Sequence, residues 1–272
     1  MDQLKNLFYV ATETFDHAVI PELPNFITFI HRIFHDSSWS KFLHRWESII
    51  FSIVIATLIS IVFYFGTRKK ALIPSGFQNF LELAVDALRS MILEILGPRG
   101  EKFVPLLGTL FIYILTMNII GLVPFMKSPS SNLNITVGLA IFVFVLVQYL
   151  NIKNMGIGGF IYHLAGSPKD AIGWCMVPLM FPIEIITQFS RPLTLAFRLF
   201  GNIFGEDTII AAFSIFGVTM LSFIGPYVGF PLQIPFMFLG LLTGVMQALV
   251  FTLLSTIYIL LSMPEHEEQS SH

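Results

Sequence analysis

The sequence predicts an all-α membrane protein. About five helices cross the bilayer, one amphipathic helix lies at its interface, and the last two crossing helices form a long tilted hairpin. Three observations carry that prediction. Mean hydropathy is +0.78, and only 12% of residues are charged, against about 25% in an ordinary soluble domain. Several apolar runs exceed the roughly 20 residues that a helix needs to span a bilayer. Two arginines, Arg191 and Arg198, lie inside one of the longest of these runs. The 272 residues divide into an extramembrane segment 1–47, one polytopic domain 48–263 and a short tail 264–272. A net charge of −2 gives no basic surface for nucleic acid.

Each element has its own signature. Residues 1–47 are mixed and polar, and no basic n-region precedes a long apolar core, so no cleavable signal is expected. His17, His31, His35 and His44 are scattered without ligand spacing, and Cys175 has no companion, so neither a metal nor a cofactor is expected. Cys175 reads as a packed thiol. The first span is Ile49–Gly66, without a charge, ending at Thr67-Arg68-Lys69-Lys70. Pro74–Leu96 carries Glu82, Asp86, Arg89 and Glu94 among apolar residues at helical spacing, the pattern of the interfacial helix. Phe103–Phe125 and Ile135–Leu150 are two further spans joined by the polar loop MKSPSSN. Asn118 and Gln148 within them are expected to make interhelical hydrogen bonds. Asn151–Gly173 reads as a Gly-rich loop.

The runs Glu184–Ile224 and Phe230–Met263 come last. Fully helical, they would measure about 60 and 50 Å, against a hydrocarbon core of about 30 Å. Steep tilt, division by Pro192, Pro231 and Pro235, or both would fit them, with Gly225-Pro226 as the turn between antiparallel arms. Basic residues concentrate between spans one and two and after span three, which places the N-terminus outside and the C-terminus in the cytoplasm.

The polar residues of these arms form stripes. Glu184, Arg191 and Arg198 are seven apart, and seven residues fall only about 20° short of two turns, so the three share a face. Thr187, Thr194 and Asn202 lie within about 60° of it. A guanidinium keeps its charge in a protein, and a cation near mid-bilayer costs at least about 2.5–3.5 kcal/mol. Arg198 has no carboxylate on its face within one turn, which points to a charge met elsewhere. An ion pair between Glu184 and Arg191 is the competing, purely structural account of those two residues. Glu206 and Asp207 lie toward the outside. On the last arm, Gln233, Gly240 and Gln247 repeat the spacing, and Gly240, Gly244 and Ala248 form a small-residue row for close packing. Counting from the turn sets Gln247 about level with Arg198 and Gly240 with Asp207.

At these residues the chain resembles subunit a of the F-type ATP synthase. RPLTLAFRLFGNIFGED is the core of the match, with QALVFTLLSTIYI, TMNIIGLVP, LNITVGLA and FQNFLELAVDAL in support, together running from about residue 45 to 263. The resemblance implies a stator subunit with two half-channels that pass protons to and from carboxylates on a rotor ring of subunit c. Its other expected partners are the peripheral-stalk subunit b, the rest of the synthase and the lipid of a bacterial plasma membrane. Arg198 is implied to be the stator arginine, with Asn202, Gln247, Glu184 and Arg191 around the half-channels. Asp207 matches the family's acidic or histidine position, and Glu206 is an additional acid. Gly240 and Asn132 depart from the family's pattern, each standing where many relatives carry an ionisable side chain. Helical phase favours Glu206 over Asp207 for the outer relay. ATP chemistry is expected on another subunit, since no G-x-x-x-x-G-K-[ST] loop occurs. The rival is a self-contained secondary transporter whose arginine binds an anionic substrate, although no second copy of the arginine segment accompanies it.

Overall fold

A computed structural model of the chain describes residues Asn25, Thr28, 42–43, 45–68, 76–166, 171–221 and 230–263. From Glu47 onward the described residues form six α-helices: α1 Glu47–Thr67, α2 Phe77–Leu96, α3 Val104–Ile120, α4 Leu133–Leu164, α5 Ala171–Leu221 and α6 Ile234–Leu261. Short 3₁₀ turns, Pro98–Phe103 and Pro129–Ser131, precede α3 and α4. No strand occurs among the described residues. Five helical segments are long and apolar enough to cross a membrane, and α2 is not one of them. Within α2, Leu81, Leu88, Ile92 and Leu96 are buried on one stripe, while Phe80 and Leu83 on the other side are exposed. Amphipathic spacing thus sets which face of α2 meets α1, α3 and α6. The tightest part of the core gathers Ile55, Ile92, Leu107, Ile114, Met117, Leu199 and Phe251 from all but one of the six helices; Val143 and Val147 bring in α4.

Two expectations change, those for the stretch 151–173 and for Cys175, and the choice left open for the first long run narrows. Helical structure does not stop at Leu150 but runs to Leu164 in two segments that meet at a kink at Gly156, so much of the Gly-rich stretch 151–173 is helical. The apolar pattern persists through Ile152, Met155 and Ile157. Only Gly156, at φ 72° and ψ 166°, leaves the helical region, a conformation open to glycine without steric cost. Helix α5 begins at Ala171 and is not divided by proline: Pro178, Pro182 and Pro192 all lie inside it. In a membrane-spanning helix, neighbouring groups can re-satisfy the carbonyl that each proline leaves free. The MKSPSSN loop is polar yet partly buried. Ser128 and Ser130 are at most 1% exposed, and their hydroxyls donate to the Met117 carbonyl at 2.9 Å and to Asn118 Oδ1 at 2.7 Å. Cys175 is exposed rather than packed. Apolar composition does not separate core from outward faces in a helix whose surroundings are themselves apolar.

Helices α5 and α6 run antiparallel. Contacts join Arg191 to Tyr258, Asn202 to Gln247, Glu206 to Thr243 and Phe213 to Phe236. Every step forward along α5 is matched by an equal step back along α6. The Gly225-Pro226 turn lies outside the described residues, as do the four N-terminal histidines and the tail 264–272.

Candidate functional site

The polar residues of α5 separate into two regions either side of Arg198. Toward the start of α5, Glu184 and Arg191 line a cavity of about 320 Å³ that Gln148 and Asn151 of α4 and Tyr258 and Ser262 of α6 also line. The Glu184–Arg191 ion pair does not form. Arg191 instead places its guanidinium 5.5 Å from the centre of the Tyr258 ring, a cation–π contact that keeps a cation without cancelling its charge. Glu184 Oε1 lies 3.4 Å from Gln188 Nε2. Thr187, on the same stripe, turns its hydroxyl back to the Ile183 carbonyl at 2.8 Å.

Arg198 is exposed on the outer face of α5, with no hydrogen bond or ion pair to any described residue. Its neighbours explain the direction it takes. Leu195, Ala196 and Leu199 are at most 2% exposed and face the core, so position 198, about 100° round the helix from their mean direction, is left off the core face. Gly201 and Gly205 follow, and a Cβ at either would meet nothing within 4 Å. One turn beyond Arg198, Asn202 Nδ2 donates to Gln247 Oε1 at 2.9 Å. Gln247 is 3% exposed and its Nε2 has no partner. Gln247 is therefore level with Asn202, one turn further along α5 than counting from the turn implied.

The second region centres on Glu206. An ideal Cβ built on Gly240 would lie 1.9 Å from Glu206 Oε1 and 2.4 Å from its Cδ, so the carboxylate occupies the notch that this glycine leaves. Thr243 Oγ1 donates toward Glu206 Oε2 at 3.3 Å, though the Leu239 carbonyl competes for the same proton at 2.8 Å. Gly240 thus faces Glu206, not Asp207. At Gly244 the nearest atom to a built Cβ is Asn118 Cβ, at 3.2 Å, and Asn118 Nδ2 donates to the Gly244 carbonyl at 3.0 Å. The small-residue row admits polar side chains, from α5 at Gly240 and from α3 at Gly244, while Ala248 is fully buried. Both interhelical amide bonds expected from sequence occur: that of Asn118, and Gln148 Nε2 to Gln188 Oε1 at 2.6 Å. Asn132, the other departure, donates to Ser48 Oγ at 3.1 Å.

Sequence reasoning missed Gln188, Thr243, Ser130 and Tyr258. The spacing of Gln188 four residues after Glu184 was a usable signal. Nothing in the sequence marks Tyr258 as the ring beneath Arg191.

The family described as ATP synthase A chain matches residues 49–260. The chain belongs to that family. The match begins two residues into α1 and ends one residue before α6 does, so both polar regions and Arg198 fall inside it. An ATP synthase subunit a of Protochlamydia amoebophila is 63% identical over 251 residues, covering 92% of this chain and 93% of the relative. Another, of Solidesulfovibrio magneticus, is 39% identical over 220 residues, covering 81% and 82%. A third, of Moorella thermoacetica, is 35% identical over 215 residues, covering 77% and 89%. Family membership disfavours the self-contained transporter.

Proposed function

We propose that this chain is the stator subunit of a rotary ATP synthase membrane sector and couples proton flow to rotation through two half-channels. The observation that carries the reading is Arg198: a permanent cation in a membrane-spanning segment, exposed, and unpaired among the described residues. A rotor ring bearing carboxylates supplies the missing counter-charge. Gly201 and Gly205 leave room for a rotor helix to come close beside it. Protons enter past Glu206, with Asp207 beside it, and the Asn202–Gln247 pair lies between that acid and Arg198. They neutralise a rotor carboxylate, the ring turns, and the proton leaves through the cavity of Glu184 and Arg191. Arg198 attracts the deprotonated carboxylate and separates the two routes. One charge crossing the membrane contributes about 2.3 kcal/mol per 100 mV, so several are needed per ATP.

In this reading the chain itself catalyses no ATP chemistry. Its partners are the subunit c ring and subunit b, and the membrane is a bacterial plasma membrane with the N-terminus outside. Arg68, Arg89, Arg99, Lys102 and Lys153 gather at the end of the bundle where α1 ends and α3 begins, and support a cytoplasmic position for that end. The test is Arg198→Ala in inverted membrane vesicles. ATP-driven pumping is lost while the complex stays assembled, and passive conductance persists or rises. Normal pumping by this variant removes the proposal. Arg198→Lys fails to restore full activity, because a compact ammonium lacks the forked guanidinium geometry.

A further inference from the structure

Gln148 on α4 and Gln188 on α5 join two helices beside the Glu184 carboxylate. Gln148 Nε2 donates to Gln188 Oε1 at 2.6 Å, and Gln188 Nε2 lies 3.4 Å from Glu184 Oε1. The direction of this chain follows from charge. An ionised carboxylate only accepts, so Gln188 must turn its amide nitrogen toward Glu184. Its oxygen is then what remains for α4, and Gln148 must present its own nitrogen. The atom left over is Gln148 Oε1, which is buried without a partner in a side chain that lines the cavity. A buried acceptor with no donor is destabilising. The terminal torsion of a glutamine is broad, so a modest rotation turns this oxygen into the cavity, where a water molecule can donate to it.

We propose that Gln148 and Gln188 are positioning residues of the route through this cavity. Gln188 holds the Glu184 carboxylate against the wall, and Gln148 Oε1 holds a water molecule beside it. No proton passes through an amide: water carries it, and the carboxylate takes it up and releases it. When Glu184 is protonated it becomes a donor, and both amides can reverse, so the orientation of the pair follows the occupancy of the acid. The inference rests on the reading of Glu184 as part of the inner half-channel.

The test measures ATP-driven pumping per assembled complex in inverted vesicles. Gln188→Met lowers the rate about tenfold, the scale of one hydrogen bond to a charged group. The same substitution in a Glu184→Gln background lowers it little further, because the carboxylate it positions is gone. Equal losses in both backgrounds would show that Gln188 only ties helices together, and overturn the proposal. A Gln188→Met variant that pumps normally overturns it too. Full-rate pumping by Glu184→Gln alone would instead sink the inner half-channel reading. A second arm covers the case of poor assembly or undetectable rates. In a Cys175→Ser background, Gln148→Cys is treated from the cytoplasmic side with a small membrane-impermeant thiol reagent. Labelling is expected from a water-filled cavity, and absence of labelling overturns the proposal.

Discussion

The two polar regions of α5 solve the same problem in opposite ways. At the Glu184 end, the carboxylate and the guanidinium are kept apart, one by an amide and the other by an aromatic ring, and a cavity is left among them. At the Glu206 end, the carboxylate is pushed into the notch of Gly240 and shares the hydroxyl of Thr243. Both ends follow from the same helical periodicity. What differs is the neighbour: α4 contributes amides to the first end, whereas α6 contributes a missing side chain to the second. A polar stripe therefore fixes direction along a helix, and the partner helix decides whether the stripe borders open space or packed surface.

The largest effect that would break this comparison is at Glu206. Glu206→Gln should reduce pumping about 100-fold, the lower end of what a positioned proton-transfer group contributes. Asp207→Asn in matched membranes should lose far less, because Gly240 opens toward Glu206. Equal or reversed losses would mean that α5 is rotated there in the assembled complex, and that family position outranks packing.

A smaller effect is expected at the row on α6. Gly244→Leu drives a side chain into Asn118, whose Cβ is already in close contact, and overpacking of this kind costs about 1–3 kcal/mol. Lower subunit abundance on immunoblots of purified membranes is the expected outcome. Normal abundance with normal pumping would place this face against lipid. The smallest effect is at Tyr258. Replacing it with leucine removes the ring under Arg191, about 0.5–2 kcal/mol, whereas phenylalanine retains most of it. Thermal stability of the detergent-solubilised complex should rank the wild type and Tyr258→Phe together, above Tyr258→Leu. If all three coincide, the ring does not hold the guanidinium.

Helices were more legible than their partners. Hydropathy located five spans and amphipathic spacing located α2, because burial in lipid and burial in protein both demand long apolar runs. The Gly-rich end of α4 was misread, since glycine lowers helix propensity without forbidding the helix, and only Gly156 needed its freedom. Arg198 was legible because an uncompensated charge stands out in an apolar run. The Glu206–Gly240 fit was only half legible. Phase brought Glu206 forward, but the register between α5 and α6 depends on a turn whose length the sequence does not translate into depth. Gln188 looked like one more polar residue until α4 supplied its partner.

The unbroken course of α5 has a consequence for how such a chain can change over generations. Its 51 residues carry Glu184, Arg191, Arg198, Asn202 and Glu206 on one continuous shaft. Losing or gaining one residue between Arg191 and Arg198 would turn everything beyond it by about 100° relative to the cavity, and slide it by about 1.5 Å. Seven extra residues would nearly restore the angle but displace Arg198 by about 10 Å from its original depth. No insertion length preserves both, so this stretch is locked in length, like the toothed part of a key.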